Sequence, residues 1–244
     1  MKIGIIITGY NCQDYAKQCI ESALNQTYKD IKVMVYNDAS TDDTKSIIEN
    51  YKDSCEIFNS KTNNGALYGR YHFVNKTDCD VVCFLGLDDM LASNAIQIIA
   101  NAYSDEKILS TYGSWVSITD GTAYIAQPYS DDVFFNKSFR HTAWKATALN
   151  TFKTSLIKKV PKDVLLDIDG EFYKNCTDLA YSFPCLDMMN KENVKVIIDI
   201  IYLYRSQHEN TTLKRFGKAN KSEIKERLKQ KKIVTLNKNI TIWK

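Results

Sequence analysis

Proline and glycine are scarce, 3 and 9 among 244 residues, which excludes a collagen-like or linker-rich chain. Long hydrophobic runs are missing too. None reaches the roughly 18 residues that a membrane span needs, and the longest, such as 194–201, is broken by Lys and Asp. The opening segment 1–8 carries only a few apolar residues before turning polar, with no small-residue cleavage site after it, so no secretory leader is expected. There is no CxxC pair; Cys79 and Cys83 stand four apart with no nearby partners for zinc. The 7 cysteines are therefore expected to be free, mostly buried thiols of a reducing compartment, which points to the cytoplasm. An excess of one charge is also lacking: 32 Lys+Arg against 29 Asp+Glu leaves +3. That is too mild a field to imply a nucleic-acid partner, and none is expected. Neither GxGxxG after the first strand nor GxxxxGK[ST] anywhere is found, which disfavours dinucleotide binding and P-loop phosphate transfer.

What is present is an ordinary globular composition, 44% hydrophobic and 25% charged, at a length that suits one domain or a tightly fused pair. Short β-branched or apolar runs at 2–8, 31–36, 56–59 and 81–85 read as buried parallel strands. Helical spacing lies between them. Tyr15, Cys19, Ile20, Ala23 and Leu24 form one stripe, and Thr44, Ile47, Ile48 and Tyr51 a second, opened by a capping box at 40–43. A weaker third helix spans 66–76, and a fourth, capped by Ser93, runs through Tyr103. Strand and helix alternating at this spacing predict an α/β protein with a doubly wound, mostly parallel sheet.

The second half is less regular. A hairpin of 109–118 and 122–126 turns at Asp120-Gly121; 151–159 and 176–189 read as helices, and 194–198 and 201–205 as strands. A Lys-rich helix at 218–232 follows. It is read either as a solvated helix or as a docking element for an anionic membrane surface.

Open α/β sheets bind ligands beyond the carboxyl ends of their strands. That rule singles out 9–11, 37–40, 60–65 and 86–89. These segments hold carboxylates. Asp38 closes the second strand, and Asp88-Asp89 closes the fourth. Paired acidic groups at such an edge suit a hard divalent cation that in turn holds a diphosphate. The plainer reading is that Asp38 shapes a turn and Asp88-Asp89 cap the next helix.

Here the sequence resembles a known family. Ile5-Ile6-Ile7-Thr8-Gly9-Tyr10-Asn11, then Cys19-Ile20-Glu21-Ser22-Ala23-Leu24-Asn25-Gln26-Thr27-Tyr28, then Asn37-Asp38-Ala39-Ser40-Thr41-Asp42 are similar to the opening motifs of family 2 glycosyltransferases. Asn63-Asn64-Gly65…Arg70 and Phe84-Leu85-Gly86-Leu87-Asp88-Asp89 continue the likeness, the last in the place of F-L-D-x-D-D. A looser likeness follows through Cys176-Thr177-Asp178-Leu179-Ala180, where other members carry E-D, and Tyr202-Leu203-Tyr204-Arg205…His208.

The resemblance implies a GT-A fold: a Rossmann-like central sheet flanked by helices, with a smaller C-terminal acceptor-side region. It divides the chain into a nucleotide-sugar half at 1–105, an acceptor and catalytic-base half at 106–215, and a basic tail at 216–244. It implies an inverting transfer from a nucleotide-diphosphate sugar to a glycan acceptor, lipid- or protein-linked. By position, Thr8, Tyr10, Asn11 and Asp38 would hold the nucleotide, with Asp38 at the base, and Gly65 and Arg70 would close over it. Asp88, Asp89 and His208 would bind Mn²⁺ or Mg²⁺, and Asp178 would be the general base.

Four departures from the pattern stand out. Gly9 replaces a common Thr, Ala39 a common Gly, Gly86 the first Asp of D-x-D, and Thr177 the Glu before the base. His141 and Trp144 could touch an acceptor, or serve as loop and core residues, and Asp131-Asp132 decorate a loop. One rival is a non-catalytic glycan- or nucleotide-binding protein, favoured by Gly86 and opposed by Asp88, Asp89 and Asp178. A nucleotidyltransferase would need a Gly-rich basic loop after the first strand, and Gly9-Tyr10-Asn11-Cys12 is not one.

Overall fold

The computed structural model describes residues 1–206. Its elements are β1 (Ile3–Gly9), α1 (Ala16–Leu24), β2 (Ile31–Asn37), α2 (Thr44–Glu49), β3 (Glu56–Asn59), α3 (Ala66–Lys76), β4 (Val81–Gly86) and β5 (Met90–Leu91). They continue with α4 (Ala95–Ala102), β6 (Ser110–Ser117), β7 (Ala123–Tyr124), α5 (Asp131–Phe135), β8 (Thr151–Lys153), α6 (Thr154–Ile157), α7 (Thr177–Asp187) and β9 (Val194–Tyr204).

The strands form one sheet in the order β3-β2-β1-β4-β8-β6-β9-β5, with β7 paired to β6. β1 lies parallel between β2 and β4, Ile3 facing Ile31 on one side and Val81 on the other. The reason is in its sequence: strand side chains alternate faces, and β1 is apolar on both. Ile3, Ile5 and Ile7 join Val81, Cys83 and Leu85 in the core under α1 and α4. Ile6 joins Met34, Tyr36, Val82 and Phe84 in the opposite core, under α3 and α7. Every one of these side chains is buried. The parallel strands all end at one edge, and that edge carries the site.

The structure differs from the sequence reading in four places. The segment 151–159 is not one helix: its first residues form β8, antiparallel to β4 with Phe152 opposite Val82, and only Thr154–Ile157 is helical. Thr151 is fully buried, its hydroxyl bonded to those of Tyr103 (2.8 Å) and Thr111 (2.7 Å), so tertiary partners override local propensity. The expected strands at 194–198 and 201–205 are one strand, β9, whose register on β6 jumps from Gly113–Ile197 to Ser114–Ile200. The extra residues make a bulge, which the hydroxyl of Ser114 holds through the carbonyls of Ile197 and Ile198.

The two expected helix caps are also replaced. Ser40 does not cap α2; its hydroxyl accepts from the Asn11 amide (3.0 Å), while Asp42 accepts from Thr44 (3.0 Å) and Gln13 (3.2 Å). The polar cluster ties two strand-end loops together instead. At α4 the capping group is Gln26, fully buried, whose Oε1 accepts from the Ile96 amide (3.0 Å). Its Nε2 donates to the carbonyls of Ser22 (2.8 Å) and Ala92 (2.9 Å). The hairpin turn at Asp120-Gly121 is as expected: the Ser117 amide donates to Thr122, and Gly121 takes a positive φ of 75°. The Lys-rich segment 218–232 lies outside the described residues.

Candidate active site at the strand ends

Asp38 is buried at the end of β2, and both carboxylate oxygens accept from backbone amides, Oδ1 from Asn64 (2.8 Å) and Oδ2 from Gly65 (2.9 Å). Gly65 sits at φ +86°, a left-handed region that glycine enters without strain, and α3 starts at the next residue. Asp38 thus anchors the loop that would close over a nucleotide. Asn11, at φ +52°, accepts on Oδ1 from the Thr41 amide (2.8 Å), joining the ends of β1 and β2. Thr8 is buried one step earlier, its carbonyl accepting from Leu87 (3.0 Å), and Tyr10 is half-buried at the rim.

Arg70 on α3 reaches across to α7. Its Nη1 donates to the Thr177 hydroxyl (3.0 Å), and its guanidinium lies 5.0 Å from the Phe84 ring centre. Its Nε is buried without a hydrogen-bond partner. Burial pulls the guanidinium down from its usual range, and the charge of Asp178 opposes that shift. Asp178 itself is half-buried in the first turn of α7. The Arg70–Thr177 bond therefore joins the nucleotide half to the helix that bears the expected base.

At the end of β4, Gly86 leaves space that the next carboxylate uses. A Cβ at position 86 would lie 2.5 Å from Asp88 Oδ1 and 3.0 Å from Asp89 Oδ2. Asp88 is half-exposed, whereas Asp89 is buried. Asp89 Oδ2 accepts from the Tyr202 hydroxyl (2.5 Å) and Oδ1 from the Arg205 amide (2.7 Å). Burial and then the Asp88 charge push the Asp89 carboxyl well above the usual range, against the lowering pull of these two donors. Arg205 also donates from Nε to the Asp88 carbonyl (3.1 Å) and from Nη2 to Gln18 (3.1 Å), with its guanidinium 4.4 Å from the Tyr15 ring centre.

This geometry can be set beside known proteins. Glycosyl transferase family 2 matches residues 4–163, about two thirds of the chain. The chain belongs to that family. The Escherichia coli UDP-Glc:alpha-D-GlcNAc-diphosphoundecaprenol beta-1,3-glucosyltransferase WfaP is 36% identical over 115 residues, 46% of this chain and 45% of that protein. The chain spans about half the length of curated relatives of this kind. Among solved structures, Staphylococcus aureus TarS 1-349 in complex with UDP-GlcNAc superposes with a TM-score of 0.62 at 19% identity, covering 85% of this chain and 59% of that one. The mannosyltransferase PcManGT from Pyrobaculum calidifontis, in complex with GDP-Man and Mn2+, gives 0.58 at 16%, covering 86% and 58%. These likenesses establish the GT-A fold.

In this family 2 chain the residues expected to bind a cation fit one in part. Among the described residues no three His, Cys, Asp or Glu side chains converge as a metal cluster. Asp88 offers a half-exposed carboxylate at the strand edge, while each Asp89 oxygen already accepts a hydrogen bond. One carboxylate with the phosphates of a substrate is a usual donor set for Mg²⁺, so the hard-oxygen chemistry is compatible. His208 lies outside the described residues. Of the remaining candidates, His141 is exposed and Trp144 packs edge-on to Phe183 at 5.3 Å, within the core around α7. Asp131 pairs with Lys191 at 2.6 Å.

Sequence reasoning assigned no role to Tyr202, Arg205, Gln18 or Tyr15. The one available signal was Tyr202–Arg205 itself, quoted for its likeness but silent about its partners.

Proposed function

We propose that the protein is an inverting glycosyltransferase that moves a sugar from a nucleotide-diphosphate donor to a glycan hydroxyl. The observation that carries this is the Arg70–Thr177 bond, which draws the first turn of α7, with Asp178, toward the edge where Asp38 and Asp88 end their strands. Thr8, Tyr10, Asn11, Asp38, Gly65 and Arg70 would form the nucleotide-sugar pocket. A UDP sugar is the first donor to test, since the names of WfaP and the TarS complex print UDP-Glc and UDP-GlcNAc.

In the reaction, Asp178 accepts the proton of the acceptor hydroxyl as that oxygen attacks the anomeric carbon. The bond from that carbon to the phosphate oxygen breaks, and the nucleotide diphosphate leaves with its electron pair. Attack opposite the leaving group inverts the anomeric centre. Asp88 would hold Mn²⁺ or Mg²⁺, joined by His208, because the chain is tied to Asp88 and Asp89 through Arg205 only three residues earlier. The cation supplies charge neutralisation for the departing diphosphate. The acceptor would be a lipid- or protein-linked glycan, and the basic segment 216–244 a peripheral contact with an anionic membrane.

The test is binding and hydrolysis of a nucleotide-sugar panel with Mn²⁺, with Mg²⁺ and with EDTA. Metal-dependent cleavage of one donor supports the reading and names the sugar. Binding without turnover, independent of metal and unchanged by added glycan acceptors, would favour a non-catalytic binding protein, the reading that Gly86 suggests. No binding to any donor would overturn the assignment.

A further inference from the structure

Asp88 and Asp89 are neighbours in sequence with opposite surroundings. Asp88 is half-exposed at the strand edge; Asp89 points the other way, is buried, and spends one oxygen on Tyr202 and the other on Arg205. The Tyr202 hydroxyl, while donating to Asp89, also accepts from the Gly86 amide (3.4 Å). Arg205 then closes the arrangement by donating to the Asp88 carbonyl, reaching Gln18 and covering Tyr15. Residues 86–89 are thereby held from β9 and α1 together, and α1 follows the Tyr10–Asn11 loop.

We propose that Asp89 is a positioning residue and binds no cation: with Tyr202 and Arg205 it forms a clamp that sets the Asp88 carboxylate and fixes its distance from the Tyr10–Asn11 loop. The argument is one of lone pairs. A buried carboxylate that already accepts a short hydroxyl bond and a backbone amide bond would have to break one of them to coordinate, leaving a buried donor unsatisfied. Asp88 has no such obligation through these partners, since Arg205 takes only its backbone carbonyl. This inference rests on the proposal that Asp88 faces the donor diphosphate and its cation. It accounts for the second acidic residue of the pair, which reads in sequence as a second ligand.

The experiment is a double-mutant cycle of Asp89→Asn and Tyr202→Phe, with Asp88→Asn as reference. Mn²⁺ binding is followed by electron paramagnetic resonance in the presence of UDP, at a temperature where every variant is folded. Asp88→Asn is expected to weaken Mn²⁺–UDP binding more than 10-fold, in the range of a lost charge-assisted ligand. Asp89→Asn and Tyr202→Phe are expected to weaken it by the same few-fold, and the double variant no further than either. Asp89→Asn matching Asp88→Asn while Tyr202→Phe binds like wild type would overturn the proposal and make Asp89 a ligand. Unchanged binding in both single variants would reduce the clamp to packing and also overturn it. Urea midpoints of the same four proteins form a second readout that needs no ligand. If wild type fails to bind Mn²⁺ with UDP, the metal reading of Asp88 falls, and additive midpoints would sink the clamp as well; coupled midpoints would sustain it.

Discussion

Gly9 and Leu87 pack so closely that a Cβ on residue 9 would lie 2.3 Å from the Leu87 Cβ. The contact follows from the register of β1 on β4, Thr8 opposite Gly86, and from the Leu87 amide bonding back to Thr8. Two departures from the family pattern are therefore one feature: Gly9 is small because the residue after Gly86 is folded over it. Because the clash is with a Cβ rather than a flexible side-chain end, rotamer changes do not relieve it.

Gly9→Thr, which restores the common family residue, is expected to destabilise the protein by about 1–3 kcal/mol through overpacking. Urea unfolding checks it. A variant as stable as wild type would show that the 86–89 loop gives way freely. The companion Leu87→Gly, which removes the obstructing Cβ, should recover part of the loss in the double variant.

At Gly86 the obstacle is the carboxylate end of Asp88, which can rotate away. Gly86→Ala should therefore cost little in stability yet displace Asp88 and weaken metal-dependent donor binding. Titration of UDP with and without Mn²⁺ measures it. Equal affinity in both proteins would mean that Asp88 does not need the space above Gly86.

Asp178→Asn should lower transfer by about 10²–10⁴-fold, the usual worth of a positioned base, with donor binding near wild type. Kinetics on the donor identified in the panel, paired with UDP titration, separates the two effects. A parallel loss of donor binding would make Asp178 a structural residue of α7.

Asp187, at the end of α7, pairs with Arg140 at 2.5 Å, yet burial pushes its carboxyl up to about 6, with Arg140 opposing. The folded state then holds this proton more tightly than the unfolded chain. Its contribution to stability is fully present below the ordinary value of 3.8 and is lost as pH rises through about 6. The fall across that window is on the order of 2–3 kcal/mol. Urea unfolding from pH 4 to 7 should show it, and Asp187→Asn should flatten it. A wild-type profile without the decline would mean that Arg140 outweighs burial.

Much of the donor half was legible because its signals are local. Period-2 apolar runs located β1, β2, β3 and β4, helical spacing located α1 through α4, and the strand-end rule then placed Asp38 and Asp88. The acceptor half was less legible. β8 was read as helix because Thr151-Phe152-Lys153 is too short to show a period, and its strand state depends on β4 and β6 flanking it. The site likewise divided into residue identity and residue duty. Asp88 and Asp89 look equivalent in a string, but Tyr202 lies 113 residues beyond Asp89, and no spacing rule connects them.

The sequence by itself determined the family, the order of the strands that make the sheet edge and the acidic residues that end them, since each follows from short-range periodicity and motif. Only the tertiary structure decided how each carboxylate is used: Asp38 on the amides of Asn64 and Gly65, Asp89 on Tyr202 and Arg205, and Asp88 at the half-exposed edge. The physical reason is that a hydrogen bond's partner is chosen by proximity in space, and strands distant in sequence come together only when the sheet closes.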